Sequence, residues 1–219
     1  ELKSLTQRNR EVFGPVLHLL RYRRDELPRL LDDINATGYG LTLGVHTRID
    51  ETIDFISARA HAGNQYVNRN IIGAVVGVQP GGGRGLTGPG PKAGGPLYLG
   101  RLVRKAPIPP QHSSIHTDPA LLEYAAWLSG KGLNAEANTA REIGGHSALG
   151  LHVELAGPVG ERNLYALHPR GTVLLVPKTE AGLLRQVAAA LATGNQLVID
   201  SVEPLKFTLA DLPSSVAAR

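Results

Sequence analysis

The sequence predicts an α/β fold: a layer of alternating strands and helices, then a small βαβ-containing carboxy-terminal domain. Apolar residues recur at helical spacing twice between residues 27 and 60, each time beside a short apolar or β-branched run. A stretch rich in glycine and proline, Gly73 to Gly100, follows that layer. The tail then reads strand, helix, strand, and such alternation implies largely parallel pairing.

Val12 to Tyr22 is β-rich and mostly apolar, a first strand. Leu27, Leu30, Leu31 and Ile34 fall at i, i+3, i+4 and i+7, one stripe of an amphipathic helix with Asp25 as its N-cap and Gly38 as its stop. Leu41 to His46 reads as a second strand. Asp50 caps a second helix through Ile53, Ile56 and Ala60 that ends near Gly63, and Gln65 to Asn68 is a short strand. Between Gly73 and Gly100, Pro80, Pro89, Pro91 and Pro96 exclude a long helix. Residues 106–118, with Pro107, Pro109 and Pro110, read as a linker. Asp118 before Pro119 is a cap followed by a first-turn proline, opening a helix through Leu121, Leu122, Ala125 and Leu128. A loose stretch containing Gly and His comes next. Thr172 to Val176, Thr179 to Thr193, the stop at Gly194 and Leu197 to Asp200 form the βαβ unit, with the usual right-handed connection.

Composition narrows the function classes. The 219 residues suffice for one medium domain or two small ones. No apolar run is long enough to span a bilayer, and the charged, polar Glu1 to Arg10 is unlike a signal peptide. With no methionine at all, the chain reads as an interior or trailing segment of something longer. The net charge is +4, yet Arg21, Arg23 and Arg24 are followed at once by Asp25 and Glu26. A nucleic-acid groove needs a one-signed stripe, so no nucleic-acid partner is expected. Without cysteine there is no disulfide, no thiolate metal site and no cysteine nucleophile.

Gly83, Gly85 and Gly88 have the spacing of a dinucleotide fingerprint, preceded by the apolar Ala74 to Val78. That fingerprint requires a helix to begin at the third glycine. Pro89, Gly90 and Pro91 follow instead, and about twenty residues on stand Arg104 and Lys105 rather than an acid, so it is rejected. What remains is a loop of Gly81, Gly82, Gly83, Gly85, Gly88, Gly90, Gly94 and Gly95, whose backbone N–H groups can converge on an anion. Composition leaves open a flexible linker or a carboxylate-binding nest. Glu11 is either a ribose-binding carboxylate beside Phe13 or an exposed acid before a strand. His112 and His116 lack a helix and a third ligand, so no metal is expected. Ser113 and Ser114 lack a nucleophile elbow, Asp32 and Asp33 read as a solvated helix face, and Trp127 as core.

Several strings resemble the aldehyde dehydrogenase superfamily. Glu11-Val12-Phe13-Gly14-Pro15-Val16 is similar to its motif in which Glu holds the nicotinamide ribose and Phe flanks the nicotinamide. Residues 34–41 and 62–69, then Gln79-Pro80-Gly81-Gly82-Gly83 with Leu86-Thr87-Gly88, continue the family's order. Gly88-Pro89-Gly90-Pro91-Lys92-Ala93-Gly94-Gly95-Pro96 resembles the anchor loop of L-glutamate γ-semialdehyde (1-pyrroline-5-carboxylate) dehydrogenases, in particular of the bifunctional proline-utilisation (PutA) family. Residues 157–163 and 189–195 resemble the non-catalytic carboxy-terminal domain of its long members.

This resemblance implies a partial aldehyde dehydrogenase catalytic domain over residues 1–105 and a PutA-type domain over 119–219. It implies NAD binding through Glu11 and Phe13, and a substrate, L-glutamate γ-semialdehyde, contacted by Thr87 with its α-carboxylate on Gly94 and Gly95. The product would be L-glutamate, the setting cytoplasmic, and the complete protein a homo-oligomer. FAD would belong only to a proline dehydrogenase domain that this chain does not contain. The family's nucleophilic Cys and oxyanion-hole Asn stand before the glutamate motif, so these 219 residues alone are expected to be inactive. Departures are Gly81 where the family has Phe, Thr87 where it has Ser, Pro89 with no N–H to donate, and Asp200 where its cofactor-domain strand has Lys. A packed aromatic is worth roughly 3–5 kcal/mol in a core, so Gly81 changes the pocket wall. A non-catalytic binding or assembly module that keeps the family fold is the alternative.

Overall fold

The stripe at Leu27, Leu31 and Ile34 does form a helix. In a computed structural model, which describes residues 1–7, 12–88, 90–104, 117–200 and 211–219, α1 spans Leu27–Ala36 and buries Leu31. Its cap lies one residue later than expected. Asp25 sits in a 3₁₀ turn, Arg24–Glu26, and pairs with Arg23 at 3.0 Å, while the Glu26 carboxylate accepts from the Arg23 N–H at 2.8 Å. Gly38 ends the segment at φ +76°, a left-handed conformation that glycine adopts without a Cβ clash.

Next come β1 (Tyr39–Gly40), β2 (Thr42–Val45), α2 (Asp50–Arg59) and β3 (Asn64–Val67). Strands β2 and β3 pair in parallel, Thr42 with Asn64 through Val45 with Val67, as the alternation predicted. Asp50 is the first residue inside α2 rather than its cap, and Ile49 holds the cap position. Asp50 and Glu51 thus place carboxylates in the first turn, where the helix dipole favours them. Leu31, Val45, Ile56 and Ala60 form the buried cluster of this region.

The expected strand over Val12 to Tyr22 does not form beyond a single bridge between Leu20 and Leu2. Val12, Val16, Leu17 and Leu19 are all exposed. A β-prone run becomes a strand only against another edge, and among the described residues that edge is Leu2 alone. Ala74 to Val78 is a turn, with the N–H groups of Val78 and Gln79 both donating to the Val75 carbonyl. A two-residue strand, β4 (Arg84–Gly85), pairs antiparallel with β1.

The later region holds α3 (Pro119–Gly130), α4 (Asn134–Gly145), the antiparallel pair β5 (His152–Leu155) and β6 (Asn163–Ala166), then β7 (Thr172–Leu175), α5 (Glu180–Ala192), β8 (Gln196–Ile199) and α6 (Ser214–Ala217). Asp118 caps α3 as predicted, accepting from the Ala120 N–H at 2.9 Å, and its other oxygen pairs with Arg219 at 2.8 Å. Strands β7 and β8 are parallel, α5 opens on the Thr179 hydroxyl, and Gly194 follows it at φ +68°. Trp127 packs partly buried on the core, stacked on Tyr124 with ring centres 5.8 Å apart.

Helix α4 and the β5–β6 pair occupy the stretch read as loose. Ala137, Ala140 and Gly144 bring α4 close to α3, and a Cβ on Gly144 would stand 2.6 Å from Leu121. Small residues that weaken a helical stripe are what permit this packing. The chain divides into two compact units, Glu1–Ala106 with Ala156–Val159, and Pro107–Leu155 with Gly160–Arg219. Among the described residues no helix is long and apolar enough to cross a membrane.

Candidate functional site

The site grows from the start of β3. The Gly63 and Asn64 N–H groups donate to the Gly40 and Leu41 carbonyls at 2.8 and 3.0 Å, fixing this corner against the β1–β2 segment. Gly63 lies so close to the Gly82 carbonyl that a Cβ would collide with it, which is why glycine stands there. Asn64 then ties the glycine loop to the sheet. Its amide donates to the Pro80 carbonyl at 2.9 Å, and its Oδ1 accepts from the Gly82 N–H at 3.1 Å.

Gly81 and Ala93 exchange two backbone hydrogen bonds, 3.2 and 2.8 Å, and so close the neck of the loop. Lys92 sits inside it. Its ammonium donates to the carbonyls of Gly63 and Gly82 and, at 3.2 Å, to Asn64 Oδ1. Burial, with a smaller push from the Arg84 charge, lowers the Lys92 pKa from its usual value to about 8. Beyond the neck, Gly94 adopts φ +72°, and a Cβ there would stand 2.9 Å from Val76 Cγ1. Among the described residues its N–H has no hydrogen-bond partner. The Gly95 N–H, by contrast, donates to the Lys92 carbonyl at 2.9 Å. One amide of the expected pair is open and the other is occupied.

Thr87 lies on the opposite limb. Its hydroxyl donates to the Arg84 carbonyl at 2.6 Å and accepts from the Gly40 N–H at 3.3 Å, linking β1 to the turn after β4. Gly85 and Gly88 take positive φ in that turn. Gly81 belongs to the neck and lies against Ala74.

The Phe13 ring is 90% exposed. Glu11, Pro89, His112, Ser113, Ser114 and His116 lie outside the described residues, as does most of the expected linker at 106–118. Among the described residues no group of three His, Asp or Glu side chains could hold a metal. Sequence reasoning missed Asn64 and Lys92. A lysine among glycines and prolines reads as solvated, and its cage comes from carbonyls 10 and 29 residues away, which no local pattern shows.

Residues 3–104 match the Aldehyde dehydrogenase family. The chain is 67% identical over all of its 219 residues to the bifunctional protein PutA of Rhizobium meliloti, of which it covers 18%. Over 89 residues, 41% of the chain, it is 42% identical to the 1-pyrroline-5-carboxylate dehydrogenase of Bacillus subtilis (strain 168), covering 17% of that protein. The structure of proline utilization A (PutA) from Corynebacterium freiburgense superposes on 83% of the chain and 18% of its own, with a TM-score of 0.61 and 28% identity. The chain thus spans less than a fifth of the length of these relatives.

Proposed function

We propose, from the match of residues 3–104 to the aldehyde dehydrogenase family, that the chain is part of an NAD-dependent L-glutamate γ-semialdehyde dehydrogenase of proline breakdown. The relatives named PutA and 1-pyrroline-5-carboxylate dehydrogenase support this, since hydrolytic opening of 1-pyrroline-5-carboxylate gives that aldehyde. In this reading, 1–105 is the carboxy-terminal part of the catalytic domain, 106–118 a linker and 119–219 a non-catalytic PutA-type domain.

The chemical role of the chain is to hold the amino-acid end of the substrate. The carrying observation is the Gly94 N–H, unpartnered in a loop whose neck is bonded on both sides. Left-handed backbone turns neighbouring amides toward one side, which suits a carboxylate. Gly94 therefore makes the contact first, and Gly95 joins it only if its bond to Lys92 opens. Thr87 shapes the other limb, its hydroxyl already engaged by Arg84 and Gly40.

NAD would accept the hydride. Among the described residues Phe13 offers it an open aromatic face, and Glu11, the ribose contact that the resemblance implies, lies outside them. Oxidation of the aldehyde also needs a thiolate, and these 219 residues contain no cysteine. The chain alone is therefore expected to bind without turnover.

Calorimetric titration of L-glutamate into the 219-residue chain tests this. Binding is expected in the range of about 1 mM, worth ~4 kcal/mol, and Gly94→Val should abolish it. Heats identical for the chain and the variant would remove the carboxylate reading. The exposed Leu17, Ile72 and Val76 favour a second reading, an assembly module; concentration-dependent self-association with no response to glutamate would select it.

A further inference from the structure

We propose that Lys92 is a positioning residue for the glycine loop: its ammonium pins the loop's neck to the start of β3, so that the Gly94 amide is presented to an amino-acid carboxylate. This rests on the carboxylate reading above and adds the device that makes the loop rigid. Three oxygens meet at Lys92 Nζ, two from the β3 corner (Gly63 carbonyl, Asn64 Oδ1) and one from the first limb (Gly82 carbonyl). Lys92 itself belongs to the second limb, two residues before Gly94. One side chain therefore joins the sheet and both limbs.

The fit has little slack. Any side chain on Gly63 would strike the Gly82 carbonyl and lie 2.6 Å from Lys92 Nζ, and a Cβ on Gly82 would stand 3.2 Å from Lys92 Cδ. An ammonium has three N–H donors for three acceptors, whereas a neutral amine has two. Loss of one proton removes one of the three bonds of the cage. Nothing in a merely space-filling lysine would depend on that proton, so pH separates the two roles.

Arg84, on β4, is the cation whose charge Lys92 feels, and it opposes protonation. The other partners of the ammonium, Gly63, Gly82 and Asn64, carry no charge. Lys92 is mostly charged at neutral pH and loses its proton as pH passes about 8.

The test uses the 219-residue chain, its Lys92→Met variant and L-glutamate as the probe, with amide exchange followed residue by residue. For Lys92→Met, exchange at Gly82 and Ala93 is expected to speed up about tenfold, with the α5 amides unchanged as a control for folding. Glutamate affinity should fall about tenfold with it. In the unmodified chain, affinity should weaken between about pH 7 and pH 9 and neck exchange should rise beyond its intrinsic pH dependence; in Lys92→Met both profiles should be flat. Unchanged affinity in the variant overturns the proposal, whatever exchange does. Should the variant not fold, the pH series on the unmodified chain decides alone, a flat profile overturning the proposal. If the unmodified chain binds no glutamate at any pH, the carboxylate reading fails by itself. The clasp then stands on faster neck exchange in the variant and falls without it.

Discussion

The second unit buries Tyr124, Leu121, Leu128, Leu183, Val187 and Leu191 in one cluster, drawn from α3 and α5 and closed over by Ala137 and Ala140 of α4. In the first unit four residues are buried together, Leu31, Val45, Ile56 and Ala60, while Leu17, Ile72 and Val76 stand 83%, 84% and 79% exposed. The two units are held by different forces. One is a packed core, stabilised by apolar area removed from water. The other owes its local shape around the site to hydrogen bonds between Asn64, Lys92 and backbone carbonyls. Such bonds contribute about 0.5–1.5 kcal/mol each between neutral groups and about 1.5–3 where the ammonium donates, but they are directional, and direction is what a ligand-binding loop requires.

That contrast can be broken at its strong end first. Leu191→Ala in α5 should cost about 3–5 kcal/mol, because α3, α4 and α5 leave little room to collapse into the cavity. Leu31→Ala, in the smaller cluster, should cost about 2 kcal/mol. Urea denaturation of both variants checks the order, and equal losses would mean that the first unit is packed as the second is. Asn64→Ala removes the ties to Pro80, Gly82 and Lys92 and should cost about 2 kcal/mol, seen as faster exchange at the Gly82 amide more than as a lower global midpoint. Gly94→Ala should cost about 1–2 kcal/mol from the left-handed backbone, with Val76 adding steric pressure.

The titration of Lys92 adds a pH-dependent effect. Its pKa in the folded chain, about 8, lies below the unfolded value, so between the two unfolding takes up a proton. The contribution of Lys92 to stability therefore rises with pH from about 8 and levels off above the unfolded pKa of about 10.4. Denaturation midpoints across that window should climb more steeply in the unmodified chain than in Lys92→Met. Stability and loop positioning thus move in opposite directions with pH, since losing the proton relieves the burial of a charge while it removes one bond of the cage.

Much of the fold was legible because it follows local periodicity. The stripe from Leu27 to Ile34, the Asp118–Pro119 start and the Thr179 to Gly194 segment each carry their own cap or stop. Helix α4 was not legible, because Ala137, Ala140 and Gly144 matter for how closely they approach α3 rather than for their hydrophobicity. The Val12 to Tyr22 run misled for the opposite reason: strand formation depends on a partner edge, and Leu2 is the one bridge partner among the described residues. At the site, the glycine loop was visible as composition and Gly94 as part of a motif. The occupied Gly95 amide and the Lys92 cage were not, because they depend on which carbonyls the folded loop brings within reach.

The central claim is that the Gly94 amide is held open for a carboxylate. The most direct test is the Gly94 amide resonance during addition of L-glutamate, with the diamide of glutamate, which has no carboxylate, as control. A saturable downfield shift at Gly94 with glutamate alone, leaving the α5 amides in place, is the predicted result. A Gly94 resonance that does not move, or that moves equally with the diamide, would contradict it.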